Sequence, residues 1–330
     1  MRSTLLGLLL AVPALSAPAL LGSDPFGSAR AAGIELSLPI ACEPGRTCLV
    51  QNLPDLDPGP GRLDAFCGQA SYDGHKGTDF RVADEAAMRA GVDVLAAAPG
   101  TVLRLRDGLA DDGRFPQGQD CGNGLVIDHG GWTTQYCHLA QGSLAVREGE
   151  RVEREQPIGR VGRSGSAEFP HVHMTLRRGR EVVDPATGEG LDAGLASCDV
   201  TVQGDSLWDE RARVALRDGR TAALASGFAA GAVKGADVQA GRVATPDGAG
   251  PLVFYAQFMN MVPGDRVALS IRGPDGMWVE NVTEPLAGHK ATYTAFTGRR
   301  TPPPPGRYTG TAKLMRGETT VAETSAEISL

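Results

Sequence analysis

The sequence predicts a mainly β protein, with an antiparallel β-sheet domain followed by an immunoglobulin-like β-sandwich domain. The 44 glycines and 22 prolines among 330 residues divide the chain into short segments and disfavour long helices. Apolar residues make up 42% of the chain, which is enough for packed cores. Several short segments alternate apolar and polar residues, as half-buried strands do. A chain of this length favours two domains over one.

Residues 1–31 are typical of a signal peptide. Arg2 supplies a positive charge, the run from Leu5 to Val12 is apolar, and Ala29 to Ala31 offers the small residues that a signal peptidase prefers. An earlier cleavage after Ser16 is an open alternative, and so is an uncleaved anchor. Because the apolar run is short and no later stretch approaches ~20 apolar residues, we expect an exported protein, periplasmic or secreted, with no stable membrane span once the signal is removed.

Six cysteines fit an exported protein, because an oxidising compartment lets an even number pair. No C-x-x-C motif occurs, so a redox or thiolate-zinc site is not expected. Sequence alone cannot select among the fifteen possible connectivities. The connectivity that we predict joins Cys42 to Cys48, Cys121 to Cys137 and Cys67 to Cys198.

Two short segments, far apart in the chain, hold three of the six histidines. The first runs from Gly74 to Phe80 and contains His75 and Asp79; the second contains His171 and His173. Alternate residues of a strand share a face, so His171 and His173 project into one space. A catalytic zinc ion takes imidazole and carboxylate ligands, three from the protein, and keeps an open position. His75, Asp79 and one histidine of the pair would supply that set.

This pattern, His-x-x-x-Asp followed by His-x-His, resembles the signature of the lysostaphin and LytM-like zinc metallopeptidases. The element Tyr136 to Leu139 is similar to the family's Y-x-H-L, and the segment from Val94 is similar to its V-x-A-x-x-x-G-x-V strand pair. The resemblance extends over about residues 65–197. It implies a LytM-like zinc peptidase domain with the duplicated hybrid motif fold at residues 67–198, preceded by an N-terminal extension at 34–66.

The resemblance also assigns roles to five residues, because spacing alone does not decide which histidine of the pair binds the metal. It gives one Zn²⁺ per catalytic domain to His75, Asp79 and His173. It gives proton handling and oxyanion stabilisation to His138 and His171. The activity that it implies is hydrolysis of peptide bonds in peptidoglycan stem or cross-link peptides by a metal-activated water.

Two alternatives belong to other functional classes. One is a catalytically silent LytM-like protein that binds the cell wall or activates an amidase. The other is an adhesion or carbohydrate-binding role for the C-terminal domain. Nucleic acid is not an expected partner, because a net charge of −7 leaves no basic surface of the kind that binds it. Peptidoglycan peptides are the partner that we expect.

The local elements of residues 67–198 follow from turn residues and alternation. We predict His75 on a turn and Asp79 at the start of a strand, because the flanking glycines make a helix costly. Leu125 to Leu139 is predicted to form a hairpin with a Gly130-Gly131 turn. The acidic insertion 107–123 is predicted to be a solvated loop, with a groove wall as its functional alternative. One departure from the family is Glu155, where glycine is usual.

Residues 200–330 are predicted to form the second domain, from alternating segments separated by turns containing proline and glycine. No metal or catalytic constellation occurs in that sequence. Its aromatic residues Trp208, Trp278 and Tyr308 are expected in the core rather than at a binding surface. The predicted strand segments are Arg213 to Arg217, Leu252 to Phe258, Arg266 to Ile271, Met277 to Val282 and Arg307 to Leu314.

Overall fold

The computed structural model describes residues 33–43, 46–47, 49–194, 206–218 and 220–330. The predicted signal peptide, Cys48, Cys198 and the predicted domain boundary near residue 200 lie outside these residues. Residues 34–330 form one compact unit. No described helix is long and apolar enough to cross a membrane.

The N-terminal half is built on two antiparallel sheets. Its elements are β1 (Leu49–Asn52), β2 (Thr78–Arg81), α1 (Glu85–Ala90), β3 (Asp93–Leu95), β4 (Gly100–Arg106), β5 (Asn123–Asp128), β6 (Trp132–Leu139), β7 (Arg151–Val152), β8 (Pro157–Arg160), β9 (His171–Arg178), β10 (Glu181–Val183) and a 3₁₀ turn (Leu191–Ala193). The larger sheet has the order β1-β2-β9-β6-β5-β4-β7, with β10 paired to β9, and β3 pairs with β8. The prediction of a mainly β, antiparallel fold is confirmed here.

Strand β9 lies between β2 and β6, and the registers of these two pairings decide what meets in the sheet. Asp79 of β2 lies opposite His173, and so does Cys137 of β6 on the other side. Val172 and Met174 point to the opposite face and are fully buried in the core. The alternation of β9 therefore buries its apolar residues and leaves its histidines on the second face of the sheet.

The hairpin β5–β6 forms as predicted, with both glycines of its turn in the left-handed region, at φ 79° for Gly130 and 95° for Gly131. The predicted disulfide between Cys121 and Cys137 is present, with the two Cα atoms 4.8 Å apart. Cys42 is also disulfide-bonded, and its predicted partner lies outside the described residues.

The C-terminal half consists of two further antiparallel sheets and two short helices. Its elements are α2 (Glu210–Asp218), β11 (Ala222–Ala229), α3 (Gly235–Gln239), β12 (Leu252–Met261), β13 (Arg266–Gly273), β14 (Gly276–Val282), β15 (Lys290–Arg299), β16 (Arg307–Arg316) and β17 (Thr319–Ser329). The sheet orders are β11-β12-β15 and β14-β13-β16-β17. Both sheets contribute to one apolar cluster, which includes Phe254, Phe258, Ile271 and Tyr308.

The strand predicted at Arg213 to Arg217 is wrong, because these residues belong to α2. The buried residues Ala212, Ala215 and Leu216 recur at the three- and four-residue spacing of a helix face. The Asp209 carboxylate caps this helix by accepting a hydrogen bond from the Ala212 N–H, at 2.8 Å. The helix face, with the buried Trp208, packs into the core of the N-terminal half.

Candidate metal centre

Three side chains that are distant in sequence converge where β2 faces β9. Asp79 Oδ1 lies 3.2 Å from His75 Nε2 and 2.8 Å from His173 Nδ1, and the two nitrogens are 3.1 Å apart. His75 and Asp79 are buried, and His173 is partly exposed. These are the three residues that the sequence predicts as metal ligands.

The spacing of the three atoms suits a zinc ion. Donors placed tetrahedrally around zinc at 2.0–2.2 Å lie about 3.3–3.6 Å from one another. The three observed distances, 3.2, 3.1 and 2.8 Å, are somewhat shorter than this separation. Two imidazoles and one carboxylate also form a donor set that zinc accepts, with a fourth position left for another ligand.

Hydrogen bonds to neighbouring groups orient each donor. His75 Nδ1 donates to the Leu53 carbonyl at 2.8 Å, which leaves the Nε2 lone pair directed at the centre. His173 Nε2 contacts Thr175 Oγ1 at 3.0 Å, and Nδ1 is the nitrogen that faces the other two donors. Asn52 Nδ2 donates to Asp79 Oδ2 at 2.8 Å and leaves Oδ1 for the metal. The centre is therefore pre-organised by a second layer of polar contacts.

The electrostatics keep the carboxylate ionised. Burial alone would raise the pKa of Asp79, but His75 and His171 nearby, together with hydrogen bonds from histidine, hold that pKa well below 3.8. Burial would lower the pKa of His75, and the charge and hydrogen bond of Asp79 outweigh it, so the pKa is raised. A negative carboxylate beside two imidazoles is the charge pattern that a divalent cation prefers.

His138 and His171 lie beside this cluster. The centre of the His138 ring is 4.7 Å from that of His171, and His171 Nε2 is 3.6 Å from Asp79 Oδ1. His138 Nδ1 donates to the Ser164 carbonyl and His171 Nδ1 to the Phe169 carbonyl, both at 2.8 Å. Each ring therefore carries its lone pair on Nε2, the nitrogen that is free to take up a proton.

Burial sets the protonation state of both rings. Burial, with the neighbouring His171 and His173, lowers the pKa of His138 from 6.5 to about 3, and burial also lowers the pKa of His171. Both are neutral near pH 7. His138 also has a left-handed backbone, with φ 66°, which is strained for a residue with a Cβ. Strain of this kind is concentrated at functional sites, and the His138 ring lies within 6 Å of those of His171 and His173.

The motif glycine Gly77 has a steric role. A Cβ atom at this position would lie 2.6 Å from His173 Nε2 and 2.6 Å from the Met174 carbonyl oxygen. Only a residue without a side chain therefore lets β2 approach β9 closely enough to bring the donors together.

The cluster opens into a groove of about 880 Å³. Asp79, His138 and His171 lie on one side of it, and Tyr72 and Phe169 flank them. The Tyr72 ring lies 4.3 Å from that of His75, and the Phe169 ring 4.5 Å from that of His171. An extended substrate can therefore reach the candidate ligands from solvent.

All five predicted site residues lie in one cluster, and three of them line the groove. The acidic insertion 107–123 does not line it. Asp111 of that insertion instead accepts hydrogen bonds from the main chain of Gln141 and Arg163. Sequence reasoning missed Asn52, which lies in a segment with no motif. Strand alternation puts Thr175 on the same face as His173, and this is the signal in the sequence for a hydrogen-bond partner of His173.

Comparisons with known proteins find similarity over the part of the chain that contains this cluster. Residues 73–185 match the family model described as peptidase family M23. Peptidoglycan DD-endopeptidase ShyA from Vibrio cholerae is 36% identical over 110 residues, which are 33% of this chain and 21% of ShyA. An uncharacterized metalloprotease from Buchnera aphidicola is 27% identical over 112 residues, 34% of this chain and 25% of the relative. The match thus spans a quarter or less of these relatives.

Among solved structures, the catalytic domain of the prophage-encoded M23 protein EnpA from Enterococcus faecalis, in a mutant form, is similar to this chain. It has 23% sequence identity and a TM-score of 0.33. The similarity covers 46% of this chain and 98% of the EnpA domain.

Proposed function

Residues 73–185 of this chain are a peptidase family M23 domain, and from that premise we propose that the protein is a zinc-dependent endopeptidase. We propose as its substrate the peptide bonds of peptidoglycan stem or cross-link peptides, because the relative ShyA is a peptidoglycan DD-endopeptidase. The observation that carries the proposal is the convergence of His75 Nε2, Asp79 Oδ1 and His173 Nδ1 within 3.2 Å of one another.

His75, Asp79 and His173 would hold one zinc ion. A zinc ion held there would supply a Lewis acid that acidifies a water molecule and polarises the scissile carbonyl. The Asp79 charge offsets only part of the dication, which leaves the site positive toward a carbonyl oxygen.

His171 and His138 would handle protons. Both rings are neutral near pH 7 with the lone pair on Nε2, so either can take a proton as the nucleophile attacks. Once protonated, that same Nε2–H can donate a hydrogen bond to the developing oxyanion or pass the proton to the leaving amine. The carbonyls of Ser164 and Phe169 hold the rings in the orientation that these steps need.

The remaining features of the proposal concern the whole chain. We propose export to the periplasm or outside the cell after removal of residues 1–31. An extension at 34–66, a peptidase domain at 67–198 and an immunoglobulin-like β-sandwich at 200–330 make up the proposed organisation. The shared apolar cluster of the two C-terminal sheets supports the sandwich.

Digestion of purified sacculi tests the function. The zinc-loaded protein is expected to release muropeptides with a newly freed amine, and a chelator or His75→Ala should abolish the release. A His129→Gln variant, changed at a histidine that lies outside the cluster, should match wild type. Equal release by all samples, or none by the zinc-loaded wild type, would overturn the proposal. Absence of both zinc and products would favour the silent wall-binding or amidase-activating alternative.

A further inference from the structure

One wall of the groove comes from the C-terminal half. The consecutive residues 290–294 of β15 all line it, together with Gly235 and Gln239 of α3. Side chains of a strand alternate between two faces, so a run of consecutive residues lines a cavity when the strand presents its edge. The edge of β15 therefore lines the same groove as Asp79, His138 and His171.

The main chain of β15 shows which groups point from that edge. β15 is the outer strand of its sheet and pairs there only with β12. The Ala291 carbonyl accepts a hydrogen bond from Gln51 Nε2 at 2.8 Å. Since Gln51 belongs to β1, this carbonyl points away from β12. In a strand, the main-chain groups of residues two apart point in the same direction. The Tyr293 N–H and C=O therefore also point outward from the sheet, where no described residue forms a hydrogen bond with them.

This edge is fixed relative to the metal ligands. Gln51, which holds Ala291, also accepts a hydrogen bond from the buried Arg81 guanidinium at 2.7 Å. The next residue of β1, Asn52, donates to the carboxylate of Asp79. Strand β1 therefore contacts both the candidate metal site, through Asn52, and the edge of β15, through Gln51.

Acidic and basic residues lie at different parts of the groove. Glu168 lies on the side of the histidines, and the cations Arg62 and Lys290 line the groove together with β15. Arg62 also acts electrostatically on His289, the neighbour of Lys290, which puts the two cations at the same end. Neither Arg62 nor Lys290 forms an ion pair among the described residues. That end suits a carboxylate of a ligand.

We infer that the substrate peptide binds as an added strand on the β15 edge, pairing with the Tyr293 main chain, while Lys290 and Arg62 receive one of its free carboxylates. The inference rests on the proposed function, since its occupant is a peptidoglycan stem peptide. Main-chain pairing holds any extended peptide, and the cations select one with a carboxylate at that end. The C-terminal half is then a part of the substrate site.

Binding to the full-length protein tests this without turnover. The protein is freed of metal by dialysis, and the probe is a fluorescein-labelled cross-linked muropeptide dimer, compared with the same dimer after amidation of its carboxylates. Lys290→Glu is expected to raise the Kd for the acid dimer about tenfold, because a charge-assisted contact becomes repulsive. The Kd for the amidated dimer should change less than about twofold. Lys313→Glu, in the same half but away from the groove, is the matched control and should leave both values unchanged.

Tyr293→Pro removes the outward N–H, so we expect it to raise the Kd for both dimers about tenfold. The variant should still fold, because an edge strand tolerates proline where the N–H points outward. If wild type does not bind the dimer, or if both variants bind like wild type, the inference is wrong. A shift of Tyr293→Pro in oligomeric state, with binding unchanged, would overturn it in favour of a second copy on this edge. Failure of the proposed function is a different result, namely that the zinc-loaded wild type releases nothing from sacculi.

Discussion

The two halves of the molecule bury different kinds of residue. Around β2, β6 and β9 the interior contains His75, Asp79, His138 and His171 in mutual contact. Among the described residues from 206 onward, Asp265 is the one buried residue with a charged side chain, and the Arg316 guanidinium pairs with it. The other buried polar residues of that half, Gln257, Asn260 and Thr297, are uncharged, and the remaining buried residues are apolar.

This difference indicates that the N-terminal half contains the candidate site and that the C-terminal half mainly stabilises the fold around it. Burial of ionisable groups costs free energy unless partners satisfy them, so a cluster of such groups needs an explanation beyond stability. The N-terminal half has that cluster, and each imidazole in it is oriented by a hydrogen bond. The C-terminal half has the ordinary interior of a stable β domain and contributes the edge of β15 to the groove. The predictions below test this division, from the largest expected effect to the smallest.

Loss of His171, which we propose handles protons, should remove activity and leave zinc binding intact. His171→Ala is expected to lower kcat on sacculi by about 10²–10⁴-fold, the usual contribution of general acid–base catalysis. Zinc content should stay at the wild-type level, because the three predicted ligands remain. Stopped assays of released muropeptides and metal analysis measure the two quantities. A proportional loss of zinc and rate would place His171 among the ligands instead.

Truncation of a core side chain in the C-terminal half should lower stability and leave zinc binding unchanged. Phe254→Ala is expected to lower the free energy of unfolding by about 3–5 kcal/mol, because a large buried side chain leaves a cavity. The zinc affinity of the folded protein should not change. Urea unfolding followed by tryptophan fluorescence measures stability. Phe296→Ala, at a position 44% exposed, is the control and should cost far less.

Asp184 should make the stability of the protein depend on pH, whether or not a metal is bound. Burial raises the pKa of Asp184 from 3.8 to about 6, and its Oδ2 has no hydrogen-bond partner. The folded protein thus keeps this proton where the unfolded chain has lost it, so stability falls as the pH rises from 3.8 to about 6.

Asp184→Asn removes that dependence. Its stability advantage over wild type is expected to grow to about 3 kcal/mol above pH 6, since two pKa units correspond to that energy. Urea unfolding at pH 4 and pH 7.5 measures the difference. Asp192→Asn, at an exposed position, should show no such trend. An Asp184→Asn advantage of equal size at both pH values would contradict the assignment.

Removal of the group that orients the metal carboxylate should have a smaller effect. Asn52→Ala leaves Asp79 Oδ2 without its hydrogen bond and is expected to weaken zinc binding about 10–100-fold. Competition with a chromogenic chelator gives the Kd. Asn281→Ala, on the exposed β14, serves as control. An unchanged Kd would show that Asn52 is merely packed against the site.

The smallest effect concerns backbone strain. Glu155 has φ 62°, a conformation that costs a residue with a Cβ about 1 kcal/mol. Glu155→Gly is therefore expected to raise the free energy of unfolding by up to about 1 kcal/mol, whereas Glu155→Ala keeps the strain and should be near neutral. Thermal unfolding compares the three proteins. Stabilisation by alanine as large as by glycine would contradict the explanation.

Strand alternation predicts that His171 and His173 share a face, and the glycines around His75 disfavour a helix there. The choice of His75, Asp79 and His173 as ligands came from the resemblance to the LytM-like family. The family's preference for glycine at position 155 also has its reason in the left-handed backbone that Glu155 adopts. These features are local, so a short window of residues contains them.

The remainder depends on pairings that no short window contains. Asn52 reaches Asp79 only because β1 pairs with β2 in a register that aligns these two residues. The β15 edge reaches the groove only because Gln51 holds Ala291, across a sequence separation of 240 residues. The segment 213–217 was misjudged because five residues cannot distinguish a strand from one face of a helix.

Stepwise addition of zinc to the metal-free protein, with release of muropeptides from sacculi measured at each step, tests the central claim most directly. We predict that activity rises in proportion to bound zinc and reaches its plateau at one ion per chain, and that Asp79→Ala neither retains the ion nor acquires activity. Full activity without metal, or an Asp79→Ala protein that binds zinc and cleaves like wild type, would contradict the account.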